Sequence, residues 1–161
     1  MKKILFTSVL LFFGFYISAQ QKTYVSELGK FSMTSYGEVT EDVRNDKSST
    51  IYRAAYRNNE MLFAVSSSLQ KNKPRRVVNL LNASVQNFKT ALKATIVSQK
   101  KIRFDKNRGV YASLNLNNDV VAEYKVFYKG MHLYQVMVFA KKDKYKKEVA
   151  ERFFNSFVIT E

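Results

Sequence analysis

The chain has no cysteine, one proline, one histidine and five glycines among its 161 residues. Without cysteine it can form neither disulfides nor thiolate metal sites, and it cannot carry the acylated cysteine of a bacterial lipoprotein. A single proline, Pro74, and the absence of low-complexity stretches leave nothing to divide the chain, and no repeat of solenoid length is present. The lone His132 cannot supply the ligand cluster of a zinc site; its place beside a turn suits an ordinary rim residue. Ser66-Ser67-Ser68 lacks the G-x-S-x-G elbow, and a Ser-His-Asp site would have to use His132. Neither common glycine-rich phosphate loop occurs. Glu41 and Asp42 point to opposite faces of a strand. Glu123 stands inside an apolar strand, with no second carboxylate at a spacing that would make a glycosidase pair, and suits pairing with a lysine. No cofactor site is legible. These absences favour a non-enzymatic binding or accessory role, with a hydrolase of unrecognised site as the rival from another class.

What is present begins with an export signal. Lys2 and Lys3 precede an apolar run from Ile4 to Ile17, broken only by Thr7, Ser8 and Gly14, and Ile17-Ser18-Ala19 leads into Gln20 and Gln21. That is the layout of a cleaved signal peptide over residues 1–19. The apolar run is too short for the roughly 20 residues that span a bilayer. The short leader suggests a bacterial host, and the mature chain, residues 20–161, is expected to be one periplasmic or secreted domain with no transmembrane segment.

Hydrophobic periodicity predicts strands, a helix, strands and a helix. Lys30–Tyr36 alternates as a strand, and Val39–Asp46 reads as a polar edge. Thr50–Arg57 and Glu60–Leu69 form a hairpin about Asn58-Asn59, with Tyr56 facing Met61 and Ala54 facing Phe63. A helix opens at Pro74, with Val78, Leu81, Val85, Phe88 and Leu92 at helical spacing. Four strands follow: Ile96–Phe104, Val110–Leu116, Val120–Lys129 and His132–Lys141. They are separated by turns at Lys106–Gly109, Asn117–Asp119 and Lys129–Met131. A three-residue loop holding Gly130 would put Tyr124, Val126, Val136 and Val138 on one buried face. The last helix runs from about Asp143, its expected N-cap, to Phe157. The class is α+β, a mainly antiparallel sheet covered by helices.

The formal charge is +14, of which Lys2 and Lys3 in the leader supply two. Basic residues concentrate at Lys71–Arg76, Lys100–Arg108 and Lys141–Lys147. A solvated surface accounts for such runs without a partner. If there is a partner, Lys71, Lys73, Arg75 and Arg76 before the first helix, with Lys141, Lys142, Lys144, Lys146 and Lys147 at the second, are the candidate contacts to an anionic surface such as lipid headgroups or an acidic glycan. An envelope protein is the other class of partner left open. Nucleic acid is disfavoured: Lys101-Ile102-Arg103-Phe104 and Tyr111 match no RNP pattern, and export removes the chain from nucleic acid.

Three stretches resemble small exported domains of the PsbP/Mog1-like fold group. Gly29-Lys30-Phe31-Ser32-Met33 resembles their opening strand. Gly130-Met131-His132-Leu133-Tyr134-Gln135-Val136-Met137-Val138 is similar to their strand in which a glycine and a tyrosine precede alternating hydrophobic residues. Ala150-Glu151-Arg152-Phe153-Phe154-Asn155-Ser156-Phe157 is similar to their "A-x-x-F-F-x-S-F" helix. The resemblance covers residues 29–159 and departs at Tyr36-Gly37, where many such domains have Pro-Gly. It implies a curved antiparallel sheet with helices on both faces, in a group of assembly factors, binding modules and proteins of unknown role, and carries no catalytic residues.

Overall fold

The computed structural model describes residues 21–160; the expected signal peptide lies outside the described residues. The elements, in chain order, are β1 (Lys22–Ser26), β2 (Phe31–Ser35), β3 (Thr40–Asn45), β4 (Ser49–Asn58), β5 (Met61–Gln70), α1 (Val77–Ala91), β6 (Thr95–Phe104), β7 (Asn107–Leu116), β8 (Val120–Lys129), β9 (His132–Lys141), α2 (Lys147–Ser156) and β10 (Val158–Ile159). Seven strands make one antiparallel sheet in the order β3-β4-β5-β9-β8-β7-β6, and β1-β2-β10 make a second. The architecture is α+β and mainly antiparallel. Periodicity had not indicated β1 or β10: β1 is largely exposed, and β10 has only two residues.

Strand pairing corrects the expected registers. In the first hairpin Asn58 pairs with Met61 and Tyr56 with Phe63, so the turn is Asn59-Glu60. Asn59 takes the left-handed conformation, φ 53°, which asparagine tolerates. The shift is two residues, so the apolar face survives it.

The β8–β9 hairpin differs more. Lys129 pairs with His132 across a two-residue turn, Gly130-Met131, with Gly130 at φ 62°. Tyr124 therefore opposes Met137, and Val126 opposes Gln135. All four residues expected on one face are buried, but in different clusters. Tyr124 and Val126 pack with Leu81 and Val85 of α1, whereas Val136 and Val138 pack with Ala150, Phe153 and Phe154 of α2. One residue fewer in the loop exchanges the faces, and the burial of Val126 and Phe127 side by side leaves no polar alternation to betray it.

One other turn moves. The β6–β7 turn is Asp105-Lys106, both left-handed, and Gly109 lies inside β7. A Cβ on Gly109 would come within 2.4 Å of the Phe127 ring, so this glycine serves packing, not the turn. Both helices start later than expected, at Val77 and Lys147, and the second is capped at Lys146, not Asp143. The chain leaves β9 through a turn closed by Lys144 N–H to Lys141 O at 2.9 Å, while Lys142 N–H donates to Asp119 O at 2.7 Å. These bonds hold residues 142–146 outside the helix.

The α2-side cluster is rich in aromatic contacts. Phe63 meets Tyr56 at 4.9 Å and Phe153 at 5.1 Å between ring centroids, and Phe104 meets Phe127 at 4.9 Å and Phe157 at 5.3 Å. Rings at such separations add to their burial energy. The Ser156 hydroxyl accepts from Thr34 N–H at 3.0 Å, which ties the end of α2 to β2.

Candidate anionic-ligand surface

The topology sorts the basic runs along the strand axis. The end of β5, the β8–β9 turn and the β6–β7 turn fall together: Leu69 pairs with His132, Gln70 N–H donates to Met131 O at 2.8 Å, and Lys129 Nζ lies 3.8 Å from Asp105. The β3–β4 loop joins them, since Lys71 Nζ donates to Lys47 O at 2.7 Å. The four connections at this end, residues 46–48, 71–76, 105–106 and 130–131, hold six bases and two acids, so its charge is uncompensated. Lys71, Lys73, Arg75 and Arg76 are here, all exposed.

Lys141, Lys142, Lys144, Lys146 and Lys147 are also exposed, but at the opposite end, beside the Asn59-Glu60 and Asn117–Asp119 turns. Ten-residue strands put about 30 Å between the two sites. Acids match bases at that far end: Lys144 Nζ is 3.0 Å from Glu60, and Lys147 Nζ is 3.7 Å from Glu151. The structure thus separates the two sets of candidate contacts. It places the first set at the same end of the sheet as Lys101, Arg103 and Arg108 of the β6–β7 hairpin, residues that formed a basic run in the sequence without being counted among the contacts.

Between α1 and that hairpin runs a groove of about 440 Å³. Val78, Leu81 and Val110 give it an apolar floor, and Asn82, Lys101, Arg103 and Arg108 stand around it. Arg103 pairs directly with Arg108 across the strands. Among the described residues no carboxylate makes an ion pair with Lys101, Arg103 or Arg108. Arg75 and Arg76 immediately precede α1, whose first turn has no acidic residue and no side-chain cap.

A second cleft, of about 540 Å³, lies between α2 and the sheet and is lined by Lys100, Tyr111, Glu123, Lys125, Glu151 and Phe154, among others. Glu123 does not take the simple lysine pairing expected of it. Its carboxylate accepts from Tyr145 Oη at 2.5 Å, and its charge and hydrogen bond help burial push the Tyr111 phenol up to about 12. Burial lowers the Lys125 ammonium against the pull of Glu123, and Lys125 Nζ sits 4.2 Å over the Phe154 ring. These groups satisfy one another and anchor Tyr145, just ahead of α2.

The serine run reaches the histidine: Ser67 Oγ lies 2.8 Å from His132 Nδ1, and His132 stacks on Tyr134 at 5.6 Å. Ser67 is fully buried, so no substrate reaches its hydroxyl and the pair serves the fold. Burial, then the charge of Lys30, lowers the His132 pKa. Among the described residues no group of His, Asp or Glu side chains is placed to hold a metal ion, and no helix is long and apolar enough to cross a membrane.

No protein-family model matches the chain, and no curated protein matches it by sequence. Among solved structures, cyanobacterial PsbP (CyanoP) from Synechocystis sp. PCC 6803 aligns over 88% of this chain and 93% of its own, with a TM-score of 0.62 and 9% identity. The fold is PsbP-like. A Pseudomonas aeruginosa protein of unknown function aligns over 76% of this chain and 84% of its own (TM-score 0.46, 5% identity). A Bacteroides thetaiotaomicron VPI-5482 protein aligns over 88% of this chain and 49% of its own (TM-score 0.49, 13% identity). At such identities the PsbP-like likeness extends to the fold alone.

Proposed function

We propose that this chain is an exported, non-enzymatic accessory domain that docks on an anionic surface of the cell envelope through its basic end. In this reading residues 1–19 are removed, and residues 20–161 form one unit whose curved sheet lies between its two helices. The observation that carries the docking surface is the charge asymmetry along the strands: six bases face two acids in the connections of one end. A merely solubilising charge has no need to be sorted in this way. Arg75 and Arg76 also stand where cations oppose the positive end of a helix dipole, a local cost that an anionic partner offsets.

Screening at physiological salt confines such attraction to about 8 Å, so contact must be close and salt-sensitive. Sedimentation with phosphatidylglycerol-containing and purely phosphatidylcholine liposomes across a salt series tests it. Binding that requires the anionic lipid and fades with salt is expected. Equal binding to both compositions, or none at low salt, contradicts it.

A further inference from the structure

We infer that the groove between α1 and the β6–β7 hairpin binds a single-chain anionic amphiphile. Its phosphate or carboxylate head lies between Arg103 and Arg108, and its chain lies on Val78, Leu81 and Val110. This rests on the basic end being the working surface and adds a ligand to it.

Three observations converge on the groove. First, Arg103 and Arg108 are directly opposed in the β6–β7 ladder, and like charges in that position repel. Lys101, two residues from Arg103, projects from the same face of β6, and no described carboxylate makes an ion pair with any of the three. An anion held by both guanidiniums turns that repulsion into two charge-assisted contacts. Second, the floor beneath them is apolar: Leu81 and Val110 are buried, while Val78 remains 37% exposed. A bare anion gains nothing from that floor, whereas an alkyl chain does. Third, the volume of about 440 Å³ falls within the roughly 300–1,000 Å³ of small-molecule sites. The α2-side cleft lacks this combination, because its charges are already matched by Glu123 and Glu151.

The test is calorimetric titration of the protein with dodecyl phosphate below its micelle concentration. Inorganic phosphate and dodecyl maltoside serve as the charge-only and chain-only arms. Dodecyl phosphate should bind one per chain, at least about tenfold tighter than either control, since each buried methylene adds several-fold. Arg103→Ala/Arg108→Ala, which alters only exposed side chains, should weaken it by at least about tenfold. Asn82→Trp, which fills the groove from an exposed position on α1, should abolish it while leaving sedimentation with anionic liposomes intact. Inorganic phosphate binding as tightly as dodecyl phosphate overturns the inference, as does unchanged binding in both variants. In those cases retained liposome binding leaves the docking surface standing. Dodecyl phosphate binding to a protein that ignores anionic liposomes would keep the groove and overturn the docking surface.

Discussion

Two residues show how local chemistry departs from what stability alone would select. Arg76 is the N-cap of α1 yet makes no side-chain cap bond, where serine, aspartate or asparagine would satisfy a free amide. Arg76→Asp should therefore stabilise the protein by about 1 kcal/mol in chemical denaturation while weakening its retention on anionic liposomes. A destabilised variant with unchanged retention would contradict both roles. His132 gives a pH signature. Its folded pKa is lowered, chiefly by burial, from an ordinary value of 6.5, so on acidification the unfolded chain takes up the proton first. Its contribution to stability is present above pH 6.5 and is lost as pH falls through the folded value. Urea midpoints should decline over that window, and less so in His132→Gln. Equal declines in the two proteins would remove His132 as the cause.

At the scale of elements, the existence of every strand but β1 and β10 was legible, and strand register was not. Alternation located β2 and β4–β9 within a few residues, because apolar and β-branched side chains recur at the right period. Register depended on a one-residue displacement of the β4–β5 turn and a loop one residue shorter between β8 and β9. In β8 the sequence Val126-Phe127-Tyr128 is buried throughout, so hydrophobicity could not choose a face, and only the two-residue Gly130-Met131 turn decides it. Gly109 misled in the same way: read as a turn residue, it makes room for Phe127. The late starts of α1 and α2 reflect backbone bonds and missing caps that residue spacing cannot express. The observed register places Val136 at 1% exposure in the cluster of α2. Val136→Asp should unfold the domain, because an unpaired buried charge is among the most severe single lesions. Val121→Asp, half-buried in β8, should be far milder. Comparable melting of Val136→Asp and the unaltered protein would refute the pairing.

For the whole molecule, the sequence carried the charge but not its polarity. Three basic runs were visible; that two of them share one end of the sheet while the third stands at the far end follows only from antiparallel pairing. The contacts missing from the sequence-based set, Lys101, Arg103 and Arg108, were visible as a run, but their convergence on α1 required the fold. Export is tested separately: the secreted protein should have an intact mass beginning at Gln20, and a mass retaining residues 1–19 would contradict cleavage. The central claim is that one end of the sheet carries the function. Its most direct measurement compares salt-dependent sedimentation with anionic liposomes for two charge-reversed proteins, Lys71→Glu/Arg75→Glu/Arg76→Glu and Lys142→Glu/Lys144→Glu/Lys146→Glu. The first should lose at least about tenfold in binding at low salt, at roughly 1 kcal/mol or less per exposed cation, and the second should lose far less. Equal losses would mean that net charge alone governs binding, and would contradict a directed basic end.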